Sequence, residues 1–161
     1  MRTPALVTKW MTWGPELQSL LRIRDVQAVC CPIFVEHHAR LMRAFADDLT
    51  VLFDDPNDAL DSALEVHRRI RIFNGSELAG AHPAECCIGL GYGEVFAIGP
   101  NLAMGDEMNR AAKLGEDTAR ANEILVTEKA YEALQRRTDC EFQRRSTDDL
   151  PFPFYTALAR A

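Results

Sequence analysis

Apolar positions along this chain follow two rhythms, one of period two and one near 3.6, and they alternate from one end to the other. Pro4 to Trp13 is an apolar, β-friendly run that predicts a strand, and Gly14-Pro15-Glu16 opens a helix with Leu17, Leu20 and Leu21 at helical spacing. Val26, Val29, Cys30, Ile33, Phe34 and His37 keep the helical period, which predicts a second helix from about Asp25 to His38 with a kink at Pro32. Arg40 to Ala46 and Leu49 to Phe53 are short apolar segments split by Asp47-Asp48, the pattern of a hairpin with acidic residues at an outward-facing tip. Asp55 then supplies an N-cap and Pro56 a first helical position, ahead of one apolar stripe: Ala59, Ala63, Val66, Ile70 and Phe73. That helix ends at Asn74-Gly75.

The second half repeats the alternation. Residues Ser76 to Pro83 read as a loop, and the runs Cys86 to Leu90 and Glu94 to Ile98 flank Gly91-Tyr92-Gly93, which predicts a second hairpin. Met104, Met108, Ala111, Ala112 and Gly115 suit a short helix, Ile124 to Val126 a buried strand, and Thr127 the cap of a helix through Leu134. Glu141 to Arg145 and Pro151 to Leu158 complete the pattern as closing strands. Helices interleaved with hairpins on a mainly antiparallel sheet predict an α/β sandwich of the ferredoxin-like kind.

Composition narrows the function classes. The 161 residues suffice for one domain spanning 1–161 with a real core, and 47% hydrophobic with 26% charged residues is the usage of a globular protein. A net charge of -6 argues against a nucleic-acid partner, since neutralising phosphates needs a surplus of Lys and Arg. Arg68, Arg69 and Arg71 form the nearest basic cluster, and acidic neighbours make it a solvated helix face. No signal peptide opens the chain and no run of about 18 apolar residues crosses it, so a cytoplasmic protein with no membrane partner is expected. Its five cysteines include the adjacent pairs Cys30, Cys31 and Cys86, Cys87, without C-x-x-C spacing, and read as small buried thiols in a reducing compartment. His37 and His38 are adjacent and diverge, a poor ligand pair for a metal.

Four segments, in order, carry a family resemblance. Arg43-Ala44-Phe45-Ala46-Asp47-Asp48 through Pro56 resembles the K-x-x-G-D-x-x-x-x-x-F hairpin of class III adenylate and guanylate cyclases, with its acidic-proline helix start. Ile88-Gly89-Leu90-Gly91-Tyr92-Gly93-Glu94-Val95 is similar to their I-G-I-H-x-G-E-V segment. Gly105-Asp106-Glu107-Met108-Asn109-Arg110-Ala111-Ala112-Lys113-Leu114 resembles G-D-x-V-N-x-A-A-R-L, and Glu123-Ile124-Leu125-Val126-Thr127 resembles E-I-L-V-S. The resemblance implies the class III nucleotidyl cyclase fold. It also implies a chemistry in which the ribose 3′-hydroxyl of ATP or GTP attacks the α-phosphate and expels pyrophosphate, with two Mg²⁺ or Mn²⁺ ions held by two aspartates.

Carried over residue by residue, the resemblance assigns metal positions to Asp47 and, beside it, Asp48. Its other aspartate, on the first strand, has no counterpart, because Met1 to Pro15 contains no acidic residue. Counting from the hairpin puts that position near Arg2 or Thr3, and matching strand to strand puts it near Met11. Asn109 matches the asparagine that orients the ribose, while Lys113 replaces an arginine that stabilises charge on the α-phosphate, keeping the charge without the planar fork. For the base, Arg43 stands in place of a lysine and Leu102 in place of an acceptor, so one side of base discrimination is missing. Arg144 or Arg145 takes the role of a late basic residue for the triphosphate tail.

The implied function is therefore a degenerate cyclase-homology domain, inactive or very weak, kept for nucleotide binding or for pairing and regulation in cyclic nucleotide signalling. The alternatives are an active adenylate cyclase in which Asp48 or a partner residue supplies the second metal ligand, and a purely structural dimerisation module. A diguanylate cyclase is disfavoured, because Ala46-Asp47-Asp48 lacks two glycines before the acidic residue. Sites shared between two protomers in the family imply a homodimer or a heterodimer with another cyclase domain.

Overall fold

Strand β1 (Arg2–Met11) lies at the middle of the chain's main sheet, with antiparallel partners on both sides. The computed structural model describes residues 2–11, 16–79, 83–98 and 102–160, with side chains over 21–77, 79, 83–96 and 103–160. From β1 the chain passes through α1 (Glu16–Glu36), the hairpin β2 (Leu41–Phe45) and β3 (Asp48–Leu52), α2 (Pro56–Asn74) and β4 (Glu85–Glu94). These form a β-α-β-β-α-β unit in which β4, β1, β3 and β2 are neighbours and every pairing is antiparallel, the ferredoxin-like arrangement the sequence predicts. β5 (Phe96–Ile98) and β6 (Leu102–Met104) pair with each other, and α3 (Asp106–Lys113) runs into one π turn over Leu114–Thr118. β7 (Ile124–Thr127), α4 (Glu128–Leu134), β8 (Cys140–Arg145) and β9 (Phe154–Ala159) complete a seven-stranded sheet, ordered β2-β3-β1-β4-β7-β9-β8.

The main core lies on the sheet face covered by α1, α2 and α4. Val26, Cys30, Ile33 and Phe34 of α1 and Ala59, Leu60, Ala63, Val66 and Ile70 of α2 meet Cys86, Ile88 and Leu90 of β4 and Ala130 and Leu134 of α4. Helix α2 forms as its stripe predicts: the Asp55 carboxylate accepts from the Asn57 amide, Pro56 starts the helix, and Gly75 closes it with bonds back to Arg71, Ile72 and Phe73. On the opposite face α3 stands over β4 with a small apolar cluster of Leu52, Met108 and Ala111. Among the described residues no helix is long and apolar enough to cross a membrane.

Three local expectations change. The two predicted N-terminal helices are one, α1, because Arg22 to Asp25 contains neither glycine nor proline to break the hydrogen-bond ladder, and the helix also continues through Pro32. Gly91-Tyr92-Gly93 is not a turn, since β4 runs straight through it, and the second hairpin lies further on, between β5 and β6. Met104 ends β6 rather than opening the helix. Trp13, Gly14, Pro15 and the middle of the loop before β4 lie outside the described residues.

Candidate functional site

Ala46 and Asp47 form the two-residue turn between β2 and β3, with Phe45 and Asp48 as the closing pair. Ala46 has φ 49, a left-handed conformation that disfavours any residue with a Cβ. Asp47 and Asp48 are half-buried, and Arg43, on the exposed side of β2, lays its guanidinium over the Phe45 ring at 5.6 Å.

Strand register shows which of the two first-strand placements adjoins the hairpin tip. Lys9 of β1 is the partner of Asp48, so the Lys9-Trp10-Met11 end of β1 adjoins the hairpin tip, whereas Arg2 and Thr3 pair with Glu94 and Gly93 at the far end. The position beside the tip is thus the one near Met11, and no acidic residue stands there. Among the described residues no group of three His, Cys, Asp or Glu side chains is arranged to hold a metal ion. Two adjacent carboxylates on one hairpin do not make the bridging set that a pair of hard cations needs. Among the described residues, those present do not fit a two-metal centre.

Helix α3 carries the second group. Gly105, at φ 153, precedes it, where a Cβ would lie 2.6 Å from the Glu94 carbonyl oxygen. Asn109 and Lys113 are one turn apart on the exposed side of α3. The opposite side meets a row of glycines on β4. A Cβ at Gly89 would stand 1.9 Å from the Ala111 carbonyl oxygen, at Gly91 2.6 Å from that of Glu107, and at Gly93 2.4 Å from the Glu107 Cγ. Such glycines at i, i+2 and i+4 line one face of a strand and let the helix backbone approach it, and this alternation is the sequence signal that a turn reading overlooks.

Glu107, not singled out from the sequence, is the buried charge of this region, at 3% exposure. Its Oε2 accepts from Thr127 Oγ1 at 2.8 Å, and its Oε1 lies 3.1 Å from an Arg110 guanidinium nitrogen and 3.7 Å from Lys129 Nζ. A cavity of about 770 Å³ opens beside it, walled by Tyr92, Phe96, Lys129 and Glu132.

The remaining candidates lie apart. Leu102 begins β6 opposite Ile98, and its side chain is outside the described residues. Arg144 and Arg145 are on β8, at the sheet edge farthest from the hairpin and five strand positions from β3, about 24 Å at the usual strand spacing. Arg144 is exposed, whereas Arg145 is bound to Glu123 at 2.8 Å and to Thr156 Oγ1 at 3.3 Å. Arg68 and Arg69 both pair with Glu65, whose carboxyl the Arg68 hydrogen bonds hold down to about 2. Burial pushes the thiols of Cys30 and Cys86 well above their ordinary range, so at neutral pH neither is a thiolate nucleophile.

No family model matches the sequence, and no curated protein matches it. Solved structures do. The catalytic core of a rhodopsin-guanylyl cyclase with converted specificity, in complex with ATPalphaS, superposes with a TM-score of 0.82 at 15% identity, covering 99% of this chain and 97% of that one. The adenylyl cyclase CyaB from P. aeruginosa gives a TM-score of 0.78 at 15% identity, with coverage of 99% and 95%. The guanylate cyclase domain of RhGC from Catenaria anguillulae, in complex with GTP, gives 0.76 at 16% identity, with coverage of 99% and 97%. The chain has the fold of the class III adenylyl and guanylyl cyclase domains.

Proposed function

We propose that this chain is a cyclase-homology domain that binds a nucleoside triphosphate and pairs with a second cyclase domain, while forming little or no cyclic nucleotide by itself. One observation carries this reading: the strand end that adjoins Asp47 and Asp48 is Lys9-Trp10-Met11 and offers no carboxylate. Without that ligand no metal pair activates the ribose hydroxyl and holds the leaving phosphates.

The binding half is better provided. Asn109 orients a ribose by hydrogen bonds, and Lys113 one turn along offers a point charge to a phosphate. Arg43 donates to a base edge, Leu102 accepts nothing, and Arg144 is available to a triphosphate tail in a way that Arg145, engaged with Glu123, is not. Two of the solved neighbours hold ATPalphaS and GTP, which supports the ligand class.

Pairing is supported by what the chain leaves exposed. Phe45 beside the hairpin tip, Met42 on β2, and Phe96 and Met104 on the β5–β6 hairpin are large apolar side chains open to solvent. The wide separation of the hairpin from β8 is also consistent with sites completed across two chains. The test is calorimetric titration with ATP and GTP in Mn²⁺ buffer, run beside an assay for cyclic product: binding without turnover supports the reading, and ordinary turnover refutes it.

A further inference from the structure

Helix α3 sits on β4 through close contacts and runs directly into the buried Leu114. Its apolar side is Met108 and Ala111, and the strand beneath offers Gly89, Gly91 and Gly93. Alanine against glycine fixes the distance between the two elements, and the larger side chains on the inward side of the helix, Met108 and Glu107, set its rotation. Directional polar bonds add to this packing, and Glu107 makes them. It is buried to 3% exposure, and its stem occupies the space left by the missing Cβ of Gly93. Thr127, the capping residue of α4, donates to one carboxylate oxygen, while Arg110 and Lys129 flank the other.

We propose that Glu107 is a positioning residue, which sets the rotation of α3 and so where Asn109 and Lys113 stand. At 100° per residue Asn109 and Lys113 lie about 200° and 240° around the helix from Glu107. Both are exposed while Glu107 faces inward, so one rotation carries both outward groups together. The inference rests on the reading of Asn109 and Lys113 as nucleotide ligands, but its structural half is independent of that reading.

Removing this carboxylate alone leaves the buried Thr127 hydroxyl without its acceptor, a cost borne at α3 and α4, while Arg110 and Lys129, 41% and 59% exposed, return to water. Positioning thus predicts a change concentrated on α3, and general structural support a loss spread over the fold. In the full chain, Glu107→Met is expected to lower the melting temperature only modestly, to quicken amide hydrogen exchange over Asn109 to Lys113 about tenfold beyond the rest of the molecule, and to weaken ATP binding in Mn²⁺ buffer about tenfold. Glu107→Gln keeps an acceptor for Thr127 and loses the charge, so its effects on exchange and affinity should be intermediate; being isosteric, it also serves if the methionine variant folds poorly. Glu132→Gln, which changes a carboxylate on the same cavity outside this network, should leave both readouts unchanged. Exchange over α3 unchanged in both Glu107 variants would overturn the proposal, as would exchange that rises evenly across the molecule with a falling melting temperature. If the unmodified chain binds no ATP, the nucleotide reading fails, and exchange over α3 still decides the role of Glu107.

Discussion

Two residues carry costs that their neighbours reveal. Ala46 stands in the left-handed region at the turn before Asp47, where the resembled motif has glycine. That conformation costs a residue with a Cβ roughly 1–2 kcal/mol, and glycine gives back about 0.5–1 in unfolded-state entropy. Ala46→Gly is therefore expected to stabilise the chain by about 0.5–1 kcal/mol, read from the denaturation midpoint. The hairpin was legible from Asp47-Asp48, but its turn is Ala46-Asp47, one residue earlier, and the strained alanine was not legible, since sequence gives no dihedral angle. His67 is the other case. Burial, and then the positive charge of Arg71, push its pKa down to about 4 against a hydrogen bond to the Cys86 carbonyl that pulls it up. The folded value lies below the ordinary 6.5, so between those pH values the unfolded chain binds the extra proton. Stability from this group is whole above pH 6.5 and falls as pH drops toward 4, by on the order of 3 kcal/mol. His67→Gln should flatten that part of the stability curve measured by urea denaturation across pH 4 to 7.

At the scale of elements, the row of glycines on β4 and the helix above it form one unit. Placing a methyl group at Gly89 drives it into the Ala111 carbonyl, a backbone atom that can yield only if α3 shifts. Gly89→Ala should cost about 2–3 kcal/mol, within the range for overpacking, whereas an alanine at Gly75, where a Cβ has 3.5 Å or more to its neighbours, should be tolerated. Thermal unfolding of the two variants side by side checks this. Helix α2 was readable to its caps, because Asp55, Pro56 and Gly75 each do a local job that needs no knowledge of the rest of the chain. The β4 glycines were misread for the converse reason: the partner residues that require them, Glu107 and Ala111 of α3, arrive 14 to 22 residues later in the chain. Glu107 escaped notice on the same ground, since a glutamate in a polar motif looks exposed until Thr127 and Lys129 are folded onto it.

For the whole molecule, sheet order separates the candidate residues into groups that one chain does not bring together: Arg43, Asp47 and Asp48 at one edge, Arg144 and Arg145 at the other, and Asn109 and Lys113 on the helix between. If the second cyclase domain is another copy of this chain, we propose a head-to-tail dimer that would bury the Asp47 hairpin and the Asn109 helix with Phe45 and Phe96, at 67% and 69% exposure. Sedimentation at high micromolar concentration should show it, and replacing both phenylalanines with serine should return the chain to monomer; a chain already monomeric there contradicts the pairing. The absence of a first-strand carboxylate was readable from the sequence, but its place beside the hairpin tip needed the pairing of Lys9 with Asp48.

If this chain keeps the fold of a cyclase without its metal pair, Mn²⁺-dependent turnover of ATP and GTP by the purified chain is the most direct measurement of it. Little or no cyclic AMP or cyclic GMP is expected. Lys113→Arg alone should not rescue activity, because restoring the fork on the α-phosphate leaves the metals without their bridging ligand. Turnover of ATP by the unmodified chain at about 1 s⁻¹ or more, abolished in Asp48→Ala, would contradict the account.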